Sequence, residues 1–133
     1  MVLKVYTTGQ QTMAAATQTF NTSRIKGQIM KIEVVASAST DFAIWVDASD
    51  DNTSAIVDQN ILGTVASKIT VNTTLVVYPV VAQYTGANNT ITDPDQYIPM
   101  IVDDVMEVAV ASGAAADTWT INIYYDDMQS RVQ

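Results

Sequence analysis

The sequence predicts an all-β protein, an antiparallel β-sandwich of jelly-roll type with seven or eight strands, and three observations carry that prediction. Several runs alternate apolar and polar residues with a period of two, the pattern of a strand with one buried face. Polar clusters rich in Asp, Asn, Gly and Pro separate these runs at spacings of about ten residues, and no long stretch keeps a helical apolar period. Of the 14 acidic residues only Glu33 and Glu107 are Glu; the rest are Asp, which favours turns where Glu favours helices.

Residues 1–22 are polar and Ala-containing without a strict period. They are expected to form an N-terminal arm or irregular segment ahead of a sandwich over 23–128, with 129–133 loose at the C-terminal end. From Ile29 onward Met30, Ile32 and Val34 share one face, and Lys31 and Glu33 the other. Residues 41–47 repeat the pattern, with Phe42, Ile44 and Val46 inward and Ala43 and Trp45 opposite. The run Asp47-Ala48-Ser49-Asp50-Asp51-Asn52 ends that strand in a loop. Residues 55–65 hold a weaker pattern with a turn at Gly63. Residues 75–81 are apolar on both parities, which predicts a strand covered on both sides, and Pro79 places it at an edge or bulge. After a loop bracketed by Asn88-Asn89-Thr90 and Asp93-Pro94-Asp95, residues 97–102 resume an extended apolar run. Met106, Val108 and Val110, then Trp119, Ile121, Ile123 and Tyr125, alternate in two closing strands that Gly113 and its neighbouring alanines join as a hairpin. The expected core is Met30, Ile32, Val34, Phe42, Ile44, Val46, Val108, Val110, Trp119, Ile121 and Ile123.

Composition narrows the functional classes. The 133 residues suit one domain, and no window of about 18 apolar residues predicts a membrane span. With no cysteine and no histidine the chain lacks thiolates, disulfides and imidazoles, and with them most nucleophilic and transition-metal chemistry. A net charge of -8 has the wrong sign for tracking phosphates, so nucleic acid is not an expected partner. No Gly-rich phosphate loop exists, and nothing singles out a carboxylate pair for hydrolysis; the expectation is no enzyme and no cofactor. The N-terminus shows no basic region followed by an apolar stretch, which predicts a chain that is kept inside the cell that makes it or leaves by lysis.

The densest acidic cluster, Asp47, Asp50, Asp51 and Asn52, offers the hard oxygens calcium takes but matches no calcium-loop frame, so a solvated turn is the stronger reading. Asp103-Asp104 and Asp126-Asp127 are adjacent along strands and therefore point to opposite faces, which suits strand ends rather than chelation. Trp45 and Tyr124 lie on the parity opposite the core, and Val77 lies in the doubly apolar run. These three residues are the expected interface, unless a loop of the same chain covers them. A sugar-stacking platform around Trp45, in a carbohydrate-binding module, is the alternative.

Three stretches carry a family resemblance. Residues 23–34, with Lys26-Gly27-Gln28-Ile29, lead into Thr40-Asp41-Phe42-Ala43-Ile44-Trp45-Val46-Asp47. Tyr78-Pro79 together with Tyr97-Ile98-Pro99-Met100-Ile101-Val102 makes the second stretch. Residues 108–113 precede Thr118-Trp119-Thr120-Ile121-Asn122-Ile123-Tyr124-Tyr125-Asp126. Over roughly residues 23–127 the chain resembles small β-sandwich virion proteins of tailed phages and related prokaryotic viruses, with a Lys-Gly-x-Ile strand, a central Tyr-Pro segment and a closing Ile-Tyr-Tyr strand. The resemblance implies a capsid decoration, turret or head–tail associated protein. It would be made in the host cytoplasm and incorporated into the virion, packing as a trimer or pentamer against itself and against the major capsid or other virion proteins.

Overall fold

The computed structural model describes residues 2–46, 59–82 and 97–127, and among these every regular element is a β-strand and every pairing is antiparallel. In chain order the strands are β1 Leu3–Thr7, β2 Gln11–Thr12, β3 Gln18–Ala36, β4 Thr40–Val46, β5 Gln59–Leu62, β6 Ile69–Val71, β7 Thr74–Val77, β8 Val80–Ala82, β9 Tyr97–Pro99, β10 Ile101–Ala111 and β11 Thr118–Asp126. The expected all-β antiparallel class is found. The described residues hold eleven strands rather than seven or eight, however, and most of them belong to one sheet. Nine form one hydrogen-bonded sheet in the order β1-β11-β3-β10-β4-β5, with β2 on β11, β6 on β4 and β7 on β3, while β8 and β9 form a separate ribbon.

A single sheet buries its own apolar face by folding over, and β3 is the strand that folds. Its 19 residues would span about 60 Å if straight, against a radius of gyration of about 14 Å for a domain of this length. The first half of β3 pairs with β10 and the second half with β11, and Gln28 is matched to both, to Ile101 and to Asp126. Beside that switch, Gly27 has φ 154°, and a Cβ there would collide with the Asp126 carbonyl. Only glycine gives the backbone both this conformation and this approach. Two bulges add curvature: Met30 is extra opposite Tyr124 and Tyr125, and Thr22 with Ser23 faces Met106 alone. There Thr22 Oγ1 accepts the Met106 N–H at 3.0 Å.

The folded sheet closes on one main core containing Ile25, Ile29, Ile32, Val34, Phe42, Ile44, Met106, Val108, Val110, Trp119, Ile121 and Ile123, all at most 2% exposed. Nine of the eleven expected core residues are in it; Val46 is half-buried against it. Met30 is the exception. Its bulge changes the parity of β3, so Ile29 and Ile32 both point inward and Met30 does not. Trp119 is the hub, edge-on to Phe20 at 5.7 Å and to Phe42 at 5.9 Å between ring centroids.

Other expectations change as well. Over its described length the segment 1–22 is no irregular arm: β1 and β2 pair with β11, and residues 18–22 begin β3. β10 and β11 do not form a hairpin, because β3 lies between them. Residues 112–117 instead cross from one half of the folded sheet to the other, with Ser112 and Ala116 at positive φ. The run 75–81 breaks at Tyr78-Pro79 into β7 and β8, as a residue lacking an N–H donor requires. Asp103 and Asp104 sit inside β10 rather than at its end, while Asp126 does end β11.

Candidate interaction surface

The outer face of β1, β11, β3 and β7 is set by register, because directly opposed residues in antiparallel strands point the same way. Val5, Tyr124 and Lys31 form one row; Thr7, Asn122, Glu33 and Val76 form the next; Thr120, Val35 and Thr74 form a third. The rows are tied laterally. Lys31 Nζ lies 4.3 Å from the Tyr124 ring centroid, and Asn122 Nδ2 donates to Glu33 Oε1 at 3.0 Å. Against this polar lattice Val5 is 53% exposed, and Val35 and Val76 are exposed as well. Tyr78, just beyond β7, is 69% exposed.

Of the three residues expected at an interface, only Tyr124 lies on this surface. Val77 points the other way: opposite Ile32, it packs with Leu75 against the main core, and the exposed parity of β7 belongs to Val76. Trp45 does leave the main core face, yet it is 1% exposed. It forms a second cluster with Ala43 and Ala109, and Val65 packs over it. Val65 belongs to a turn that braces itself. Thr64 and Ser67 exchange backbone hydrogen bonds at 3.1 Å, and Lys68 Nζ donates to the Val65 carbonyl at 2.8 Å. The expectation that Trp45 is an exposed anchor is therefore corrected, because its own chain covers it. Tyr124 and Trp45 also cannot share one patch, since Tyr124 is matched to Lys31 in the second half of β3 and Trp45, through Glu107, to Asn21 in the first.

Beside the Trp45 cluster an open groove of about 360 Å³ crosses the outer face of β3 and β10, lined among others by Thr17, Gln18, Thr19, Ala109 and Lys68. Its one ionisable side chain is Lys68, whose amine is engaged by Val65, so the lining holds no acid–base pair. Asp47, Asp50, Asp51 and Asn52 lie outside the described residues; among the described ones no group of three acids could hold a metal ion.

The β1 edge is the feature that sequence reasoning missed. Val2 and Leu3 are exposed together with Val5, and only Tyr6 of this strand packs on the core. Two acids at the end of β11 hold the strand's start. The Val2 N–H donates to Asp126 Oδ1 at 3.3 Å, and Lys4 Nζ bridges Asp127 Oδ2 at 3.0 Å. That hydrogen bond, with the Asp127 charge behind it, raises the Lys4 pKa above its ordinary value. The signal was present as alternation, with Leu3, Val5 and Thr7 on one parity and Lys4 and Tyr6 on the other. Comparison with known proteins adds no relative: no family model, curated protein or solved structure matches the chain.

Proposed function

We propose that the chain is a non-enzymatic structural protein of a virus particle, a capsid decoration or turret subunit on the capsid exterior. It works through contacts with copies of itself and with the major capsid protein. The observation that carries this reading is the outer face of β1, β11, β3 and β7. There, exposed Val5, Val35 and Val76 with Tyr124 stand on a rigid hydrogen-bonded lattice, which suits repeated protein contact better than capture of a small molecule. The resemblance of residues 23–127 to small virion β-sandwich proteins supplies the viral setting. The carbohydrate-binding alternative loses its platform, because an indole that is 1% exposed has no ring face to offer a sugar.

Light scattering on the purified chain tests the reading. A discrete oligomer is expected at about 50 micromolar, where contacts of modest affinity are populated. A strict monomer at that concentration, or a gene lying far from any capsid or portal gene, counts against it.

A further inference from the structure

We infer that the N-terminal strand is exchangeable between copies: residues 2–8 of one chain leave the β11 edge of their own sheet and pair with β11 of a second copy. This deepens the self-association reading above and rests on it only for the choice of partner. Thr8 apart, which is 8% exposed, the arm buries little, with Leu3 56% and Val5 53% exposed and Tyr6 alone of β1 packing on the core. What holds it is a ladder of backbone hydrogen bonds to β11, the Val2 and Lys4 contacts with Asp126 and Asp127, and Thr8. The Thr8 N–H donates to the Ile121 carbonyl, and its Oγ1 accepts the Ile121 N–H, both at 3.0 Å. Each of these contacts is available unchanged from an identical arm on another molecule, so exchange keeps them, and its cost lies in the turn, where Gln11 Nε2 donates to the Thr8 carbonyl at 2.8 Å, and in concentration.

The hinge is in place. Gly9 has φ 64° with nothing within 4 Å of where its Cβ would stand, and the turn around it is held by local bonds: its N–H donates to Thr7 Oγ1 at 3.1 Å, its carbonyl accepts Thr8 Oγ1 at 2.8 Å, and Gln11 Nε2 donates to the Thr8 carbonyl at 2.8 Å. Directly after it the chain is fixed again: Gln11 and Thr12 pair with Trp119 and Thr118, and Met13 is 1% exposed. A firm anchor, a glycine joint held by local hydrogen bonds and a shallow arm of about 23 Å extended length are what strand exchange requires. The occupant is a second copy because the vacated edge matches β1 in register and charge, Lys4 against Asp127 and Val2 against Asp126. The net charge of -8 makes copies repel, so salt favours exchange.

The absence of native cysteine makes the test clean. Val5 and Tyr124 are directly opposed in the β1–β11 register. A Val5→Cys chain and an isotopically labelled Tyr124→Cys chain are mixed at high concentration and high salt, oxidised, and the disulfide-linked species are weighed by mass spectrometry. Exchange gives mixed heterodimer several-fold above a control mixing Val5→Cys with Lys26→Cys, whose site lies on the first half of β3. Heterodimer at the control level overturns the inference. Thr7→Cys mixed with Asn122→Cys, the next opposed pair, gives a second readout should Tyr124→Cys fail to fold. An oligomer by light scattering without heterodimer overturns exchange and leaves self-association standing, whereas a monomer without heterodimer overturns both.

Discussion

Trp119 Nε1 donates to Gln18 Oε1 at 3.0 Å, although Trp119 of β11 is paired with one end of β3 and Gln18 stands at the other. Trp119 is matched to Ala36, the last residue of that strand, and Gln18 is its first. One hydrogen bond thus spans a strand that would be about 60 Å long if straight, and it forms because β3 is folded back on itself. The Phe42 and Phe20 contacts of the same indole come from the first half of the sheet, so Trp119 is where the two halves meet.

Replacing this indole therefore has two separable costs. Trp119→Ala is expected to lose roughly 3–5 kcal/mol, the range for a large buried aromatic. Gln18→Leu removes only the hydrogen-bond partner and leaves the indole N–H to desolvation, for about 1–3 kcal/mol. Urea unfolding midpoints with unchanged slopes check both, and equal losses would place the value of the pair in the polar contact alone.

Gly27→Ala tests the bend directly. Alanine at φ 154° is strained by about 1–3 kcal/mol, and its methyl group meets the Asp126 backbone, which cannot swing aside as a side chain tip can. A loss of at least about 2 kcal/mol is expected in equilibrium unfolding, while Gly9→Ala, strained in φ but in open space, costs less.

The alternating runs were legible because each lies on a regular stretch of strand. Phe42 with Ile44, and Trp119 with Ile121 and Ile123, keep one parity from end to end, and all are buried. Met30 was misplaced because a bulge adds one residue without marking the sequence, and the single slip exchanges inside for outside. The length of β3 was hidden by its polar first half, where Thr19, Asn21 and Ser23 face solvent while the alternate positions do not. Trp45 could be assigned to a face but not to an environment, since its cover, Val65, comes from a turn that is distant in sequence and has no period of its own.

Asp41 gives the fold a defined acid response. Thr70 Oγ1 donates to Asp41 Oδ1 at 2.5 Å and Ser112 Oγ to Oδ2 at 2.7 Å, and these bonds, Thr70 first, hold its pKa below the ordinary value of 3.8. A carboxylate with a depressed folded pKa contributes stability that is complete above the unfolded value and is lost as pH falls through the folded one. The difference in urea midpoint between the native chain and Asp41→Asn should therefore be constant from about pH 7 to 5 and shrink below about pH 4. A difference that grows on acidification would reverse the sign and remove the carboxylate from the account.

The two parities of β7 separate folding from association. Val77 packs on the core opposite Ile32, so Val77→Asp buries a charge and is expected to unfold the chain or cost more than about 3 kcal/mol. Val76 lies on the outer face beside Glu33, so Val76→Asp leaves the fold within about 1 kcal/mol of native stability, allowing for like-charge repulsion across the strands. If the outer face is the contact between copies, Val76→Asp lowers the oligomer fraction in light scattering while the circular dichroism spectrum is unchanged. Trp45→Ala belongs with Val77: the indole is buried within its own chain, so the loss of roughly 3–5 kcal/mol appears in monomer unfolding. Association weakened by Trp45→Ala at undiminished stability, with Val76→Asp silent, would move the contact from the β1–β11–β3–β7 face to the β4 side of the sheet.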